Sequence, residues 1–252
     1  LEVAASARAG GAKGGVLARE TRLLARVASP ALSAFFESCH RSHGVDLRLG
    51  AAVKALQVNE GQVCGVELAD GSIIECDAAV VGIGALAEDA LARAAGLQCD
   101  DGIVVDEQCR TSVQGIYAIG DCTRRPLPRY GMTARLESVP NALEQARQVA
   151  ASIVGKPPVK SDTPWFWSDQ YDVRLQIVGL PIGVVRQVLR GDPASGKFAV
   201  FHLGEGNVLQ AVEAVNSAGE FAAARLWVGA RQVLDPERVA DLSLTPKQLV
   251  GT

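Results

Sequence analysis

Three short runs in this 252-residue sequence combine residue types that hold or orient a polar ligand. The apolar run Ile116-Tyr117-Ala118-Ile119 reads as a strand and ends in Gly120-Asp121. Ligands of α/β sheets bind outside the carboxyl ends of strands, and a carboxylate there accepts hydrogen bonds from sugar-type hydroxyls. The same dipeptide alone is an ordinary surface turn. Glu137-Ser138-Val139-Pro140-Asn141 reads as a helix opening with Ser138 as its cap, leaving first-turn N–H groups for an anion. Such a terminus favours negative charge by up to about 2 kcal/mol when partly buried. Trp165-Phe166-Trp167-Ser168-Asp169-Gln170 gathers aromatic rings in a chain that is only 5% aromatic. It suits either a core at a domain boundary or an indole lying near a flat, electron-accepting ring.

Other chemistries find less support. The six cysteines form no C-x-x-C pair, so neither a redox disulfide nor a zinc site is expected, and the thiols read as reduced. His40 and His43 share a helix face near its C-terminus, where a cation is mildly favoured, and the sequence places no further metal ligands beside them. A net charge of -3 argues against nucleic acid as the main partner. No apolar run is long enough to span a bilayer and no secretory signal opens the chain, which predicts a soluble, cytoplasmic protein. Met132 is the only methionine, so Leu1 reads as the start of a fragment or of a processed chain.

The elements that must carry these runs are α/β in class. Leu1 to Ala9 reads as a helix in progress and Lys13 to Ala18 as a strand. A helix follows, with Ser29 as cap, Pro30 in first position, Leu32, Phe35, Phe36 and Cys39 on one face, and Gly44 past its end. A meander comes next, Val53 to Val58, Val63 to Leu68 and Ser72 to Cys76, turning at Glu60-Gly61 and Asp70-Gly71. Ala78 to Val81 reads as a short buried strand ending in Gly82-Ile83-Gly84, and Ile103 to Val105 as another. A proline- and arginine-rich loop then precedes a helix with the apolar face Val139, Leu143, Ala146, Ala150 and Ile153. From Trp165 the pattern changes to hairpin-linked strands and a helix from about Ser217 to Val228, a small α+β domain beginning near residue 160.

In this order, the runs around Gly120-Asp121, Glu137 to Ala142 and Pro164 to Tyr171 resemble the FAD-dependent NADH:ferredoxin reductases of oxygenase systems, the putidaredoxin reductase and biphenyl dioxygenase reductase family. The resemblance implies a two-dinucleotide-binding, Rossmann-like flavoprotein. Residues 1–86 would be the remainder of an NAD-binding domain, 87–160 the later part of an FAD-binding domain, and 161–252 a C-terminal reductase domain. It implies hydride transfer from NADH to FAD and single-electron transfer to a 2Fe-2S ferredoxin. By the same resemblance Gly120 and Asp121 contact the FAD ribityl chain, and the backbone of Val139 meets the flavin pyrimidine, with Glu137 and Ser138 in support. Trp167 stands near the flavin and the ferredoxin surface, Arg147 lies on that surface, Glu2 is the acidic catalytic residue near the nicotinamide, and Gly84 lines the NAD site.

The chain departs from that pattern in places. The glycine-rich NAD fingerprint would end just before Leu1, so the polypeptide as written is expected to bind neither cofactor tightly and to expose sheet edges. Ala18-Arg19 stands where an acidic residue would hold the ribose hydroxyls, which leaves NADPH open beside NADH. Leu86-Ala87-Glu88 replaces the usual Arg-Pro-Asn. Arg124, Arg125, Arg129, Arg135 and Arg147 are expected either to meet an acidic ferredoxin or to form a solvated face. A flavin oxidase of the same superfamily and a non-catalytic docking or dimerisation remnant stay open as other readings.

Overall fold

A computed structural model describes residues 1–250. The chain opens with helix α1 (Glu2–Ala9), strand β1 (Gly15–Ala18), helix α2 (Pro30–Ser42) and strand β2 (Asp46–Leu49), and β1 and β2 pair in parallel. The helix–strand–helix–strand reading holds. Helix α1 lacks a side-chain cap, whereas Ser29 caps α2 by accepting from the Leu32 N–H. The meander forms as β3 (Val53–Asn59), β4 (Gln62–Leu68) and β5 (Ile73–Glu75), with positive φ at Glu60, Gly61 and Gly71 in its two turns.

After the short helix α3 (Ala90–Ala94) comes a small sheet of β6 (Ile103–Val104), β7 (Thr123–Leu127) and β8 (Met132–Arg135), followed by helix α4 (Val139–Ile153). The last part is a five-stranded antiparallel sheet. Its strands are β9 (Trp165–Gln170), β10 (Val173–Gly179), β11 (Arg186–Asp192), β12 (Lys197–Leu203) and β13 (Leu209–Val215), and helices α5 (Ala218–Ala230) and α6 (Pro236–Ala240) follow it. The spatial order β11-β12-β13-β10-β9 leaves β9 at one edge.

This sheet is buried on both faces. On one, Val178, Phe201 and Val212 pack with Phe221, Ala224 and Val228 of α5. On the other, Leu175, Ile177, Phe198 and Val215 meet Leu32 and Phe36 of α2 and Leu47 of β2. Each such side chain, once fully buried, contributes about 1.5–3 kcal/mol. Glu213, also buried, accepts from the Ser29 N–H at 2.7 Å and from the Ser29 hydroxyl at 2.5 Å. The start of α2 is thereby fastened to β13.

Several expectations from the sequence are corrected. Ala78 to Val81 forms no strand, and Val80 is 76% exposed. An extended run becomes a strand only where a neighbour takes up its N–H and C=O groups, and none does so among the described residues. Ile116 to Ile119 makes a single bridge, Arg110 to Tyr117, in place of a strand. Strand β7 instead forms in the proline- and arginine-rich stretch expected to be a loop. Its parallel partner β6 reaches only Thr123 and Arg124, so Pro126 meets no demand for an N–H on that side.

Helix α4 is turned over relative to expectation. It buries Asn141, Gln145, Gln148 and Ala151, while Val139 is 58% and Leu143 52% exposed. His40 is likewise no surface cation: it is fully buried, and burial holds its imidazole below the usual histidine range.

Phe36→Ala is expected to lower the unfolding free energy by about 3–5 kcal/mol, because it empties a site shared by α2 and the large sheet. Urea denaturation monitored by tryptophan fluorescence reads the loss, and a loss below about 1 kcal/mol would contradict this placement.

Candidate functional site

The inner face of α4 is a polar one, and it organises the ligand-type residues. Asn141, Gln145 and Gln148 recur at helical spacing and point at the 109–125 segment, whose backbone groups need partners. Gln145 Oε1 accepts from the Gly120 N–H at 2.7 Å, and its Nε2 lies 2.9 Å from Thr123 Oγ1. Thr123 Oγ1 in turn donates to the Gly120 carbonyl at 2.8 Å. One amide thus clamps the Gly120 turn, where φ is +84° and glycine is the residue that tolerates it. Asp121 beside it is exposed.

The opening of α4 lies on the same side. Ser138 caps it by accepting from the Asn141 N–H at 3.3 Å, while Asn141 Nδ2 donates to the Leu136 carbonyl at 2.9 Å. The Val139 N–H, in the first turn, has no intrahelical acceptor. Glu137 is paired with Arg135, whose guanidinium also approaches Asp101 at 3.5 Å and donates to the Ala85 carbonyl at 3.3 Å. Through Arg135 the Gly84-Ala85 stretch, with Gly84 at φ +114°, is tied to the helix start. Gly120 is thus bonded to the body of α4, while Ala85, next to Gly84, is linked through Arg135 to Glu137 at the helix lead-in.

A second group forms on the edge strand β9, which touches both α1 and α4. Glu2 Oε1 accepts from the Ser168 hydroxyl at 2.6 Å and from the Asp169 N–H at 3.3 Å. Trp167, the preceding residue, is 37% exposed, and its ring lies 5.6 Å from that of Trp165. Trp165 packs against Phe221 and carries the Arg225 guanidinium 5.1 Å above its ring. The structure thus brings Glu2 to the Trp167 segment, 165 residues away in the chain.

Between the two groups runs a buried ionic contact. Arg125, 3% exposed, pairs with Glu144 at 2.8 Å and reaches Asn141 Oδ1 and Ser161 Oγ, each at 3.0 Å. Glu144 also accepts from the Asp162 N–H at 2.9 Å, which moors the lead-in to β9 onto α4. Sequence reasoning missed Gln145, and it placed Arg125 on the surface where the structure buries it against Glu144. The signal available was the run of amides at 141, 145 and 148, which recur at helical spacing on one face of the helix.

The arginine cluster is corrected accordingly. Arg125 is internal, Arg124 faces Asp100 at 3.5 Å, Arg135 is shared among Asp101, Glu137 and Ala85, and Arg129 donates to the Gly229 carbonyl at 2.9 Å. Arg147 is exposed and makes no ion pair among the described residues. Ala18 ends β1 with Arg19 and Glu20 both exposed beyond it. Burial pushes the Cys109 thiol up to about 11, so it stays protonated at neutral pH. All six cysteines are free. Among the described residues no cluster of metal-type side chains occurs and no helix is long and apolar enough to cross a membrane.

Gln145→Leu is expected to cost about 1–3 kcal/mol by leaving the Gly120 N–H and Thr123 without their amide partner. Hydrogen exchange should show faster exchange at the Gly120 amide, while Leu143→Ala on the outer face changes stability by no more than about 0.5 kcal/mol. Unchanged protection at Gly120 would show that the clamp is not made.

Residues 1–146 match the pyridine nucleotide-disulphide oxidoreductase family, and residues 165–250 match the reductase C-terminal family. A probable ferredoxin reductase, CtmF, of Castellaniella defragrans is 46% identical over 96% of this chain and 59% of its own length. The crystal structure of the ferredoxin reductase for the CYP199A2 system of Rhodopseudomonas palustris is 40% identical and superposes with a TM-score of 0.92, covering 97% of this chain and 60% of that one. The reductase of a covalent putidaredoxin reductase–putidaredoxin complex is 41% identical with a TM-score of 0.94, over 99% of this chain and 60% of that one. The chain therefore spans about 60% of the length of these relatives. Because the family match covers more than half of its residues, the chain belongs to the pyridine nucleotide-disulphide oxidoreductase family.

Proposed function

We propose that this chain is the part of an FAD-dependent NAD(P)H:ferredoxin reductase that holds the flavin's ribityl and pyrimidine end and presents the electron exit to a 2Fe-2S ferredoxin. The observation that carries the reading is the Gln145 clamp, which holds the turn bearing the exposed carboxylate of Asp121 against α4, a helix whose capped start leaves the Val139 N–H without an intrahelical acceptor. The identity of 40–46% with ferredoxin reductases over nearly the whole chain supports it.

The residues present fit the group. Asp121 accepts hydrogen bonds from a polyol, and the helix start at Val139 favours negative charge at the pyrimidine end. Glu137 and Ser138 hold that start in place, Glu137 through Arg135 and Ser138 through Asn141. When bound, a flavin supplies the conversion of a hydride's electron pair into single electrons. Trp167, partly exposed on an edge strand, supplies an aromatic surface between that site and a docking protein, and Arg147 a cation for an acidic partner. Glu2 would face the nicotinamide, and Gly84 would let backbone approach the dinucleotide. Ala18-Arg19 leaves both NADH and NADPH as donors.

The domain division goes with this reading: 1–86 for the nicotinamide dinucleotide, 87–160 for the flavin and 161–252 for the reductase C-terminal domain, whose residues 251 and 252 lie outside those described. The gap between the two family matches, from 147 to 164, supports the second boundary. A cytoplasmic setting also goes with it, since the thiols stand unpaired as in a reducing compartment.

The test joins this chain to the N-terminal segment of putidaredoxin reductase and follows NADH-driven reduction of a 2Fe-2S ferredoxin. Asp121→Ala is expected to weaken flavin retention by tenfold or more, about 1.4 kcal/mol, and Trp167→Ala to slow ferredoxin reduction while leaving flavin content unchanged. Absence of both flavin absorbance and ferredoxin reduction in the unmutated fusion would sink the proposal.

A further inference from the structure

The polar side chains left over by the proposed reaction converge on His40. Its buried imidazole sits where α2 meets the turn after β9, with Nε2 2.8 Å from Gln170 Oε1 and Nδ1 3.2 Å from the Tyr171 hydroxyl. Gln170 is also buried, and its Nε2 lies 3.0 Å from Ser168 Oγ. Ser168 Oγ is 2.6 Å from Glu2 Oε1. Side chains from α1, α2, β9 and the following turn thus form one continuous row.

The direction of every bond in the row follows from its carboxylate end. An ionised carboxylate only accepts, so Ser168 gives its single hydroxyl proton to Glu2. The Ser168 oxygen must then accept, which turns the NH₂ group of Gln170 toward it and the amide carbonyl toward His40. A carbonyl also only accepts, so His40 carries its proton on Nε2, and Nδ1 receives the Tyr171 proton. Turning the Gln170 amide over would make Ser168 donate to Gln170 and would set oxygen lone pairs against each other 2.6 Å apart at Glu2. Burial keeps the imidazole neutral, which leaves Nδ1 able to accept. Four bonds then point one way, from Tyr171 to Glu2, and each polarises the next.

We propose that His40 is a positioning residue: its Nε2–H tautomer holds the Gln170 amide, the amide sets the Ser168 hydroxyl, and the hydroxyl fixes the Glu2 carboxylate next to Trp167. Among the described residues both donors to Glu2 go to Oε1. Oε2 is left for a donor on a ligand, for which the N–H of a primary carboxamide is the matching chemistry. This last step rests on the reading of Glu2 as the residue that faces the nicotinamide.

Nitrogen-15 NMR of the histidine rings in this full chain tests the row without any cofactor. The unmutated protein is expected to show His40 as the Nε2–H tautomer alone. Glu2→Gln removes the accept-only end while changing little at an exposed side chain, because a carboxamide both donates and accepts. Ser168→Ala removes the link itself. In each variant the Gln170 amide is free to turn, and His40 is expected to lose its single tautomer and show averaged ring shifts. A space-filling role for His40 would leave the tautomer as it was. An Nδ1–H form in the unmutated chain, or an unchanged Nε2–H form in both variants, overturns the inference. Should the tautomer respond as expected while Glu2→Gln leaves NADH-driven flavin reduction in the fusion unchanged, the row stands and the nicotinamide reading of Glu2 falls.

Discussion

The arrangement depends most on the polar inner face of α4. A helix that buries amides must find a partner for each of them, because an unpaired buried polar group costs about 1–3 kcal/mol. Here the partners are the backbone and side chains of the segments that carry the candidate chemistry: the Gly120 turn for Gln145, the lead-in to the helix for Asn141, and Ser161 for Gln148. The requirement to satisfy α4 is therefore what assembles the site. The buried Arg125–Glu144 pair serves the same end, since each ion is useful only where the other groups complete its hydrogen bonds.

The five-stranded sheet gives that assembly a rigid reference. Both of its faces are covered, one by α5 and the other by α2 and β2, so the early part of the chain is bonded to the late part through a shared core. Two polar contacts fix the alignment more finely than apolar packing does. Glu213 grips the cap of α2, and Ser168 grips Glu2. Hydrophobic burial tolerates small shifts, whereas a carboxylate that accepts from both the N–H and the hydroxyl of Ser29 does not. The edge strand β9 touches both α1 and α4, and so links the Glu2 contact to the helix that carries the turn clamp.

Much of this was legible in the sequence, and the boundary of legibility has a physical cause. Local signals read well: the Ser29-Pro30 and Ser138-Pro140 helix starts and the Glu60-Gly61 and Asp70-Gly71 turns form where their chemistry places them. So did the two-sided strands from Trp165 onward, because dense apolar alternation with hairpin turns has few other solutions. The long-range contacts were not legible. Nothing in Glu2 names Ser168 as its partner, and nothing in His40 names Gln170. The arginines were misjudged for the same reason, since a guanidinium reads alike in sequence whether it faces solvent or Glu144.

Two of the apolar runs that were misplaced, Ala78 to Val81 and the outer stripe of α4, share a single explanation. A sequence pattern states which atoms favour removal from water, and it is silent on what removes them. In α4 two stripes competed for the inward position, and the polar one won because the neighbouring backbone offered unpaired N–H and C=O groups that only amides could satisfy. Val139, Leu143 and Ile153 were left outward on the same helix whose first turn carries the candidate ligand contacts. At Ala78 to Val81 no strand competed, and the run stayed extended with its side chains in solvent. Exposed apolar surface of this kind, close to charged and polar groups that converge, is the usual mark of a face that binds. On α4 the outward stripe begins at Val139 in the first turn, so the misplaced stripe and the candidate helix start share one end of that helix.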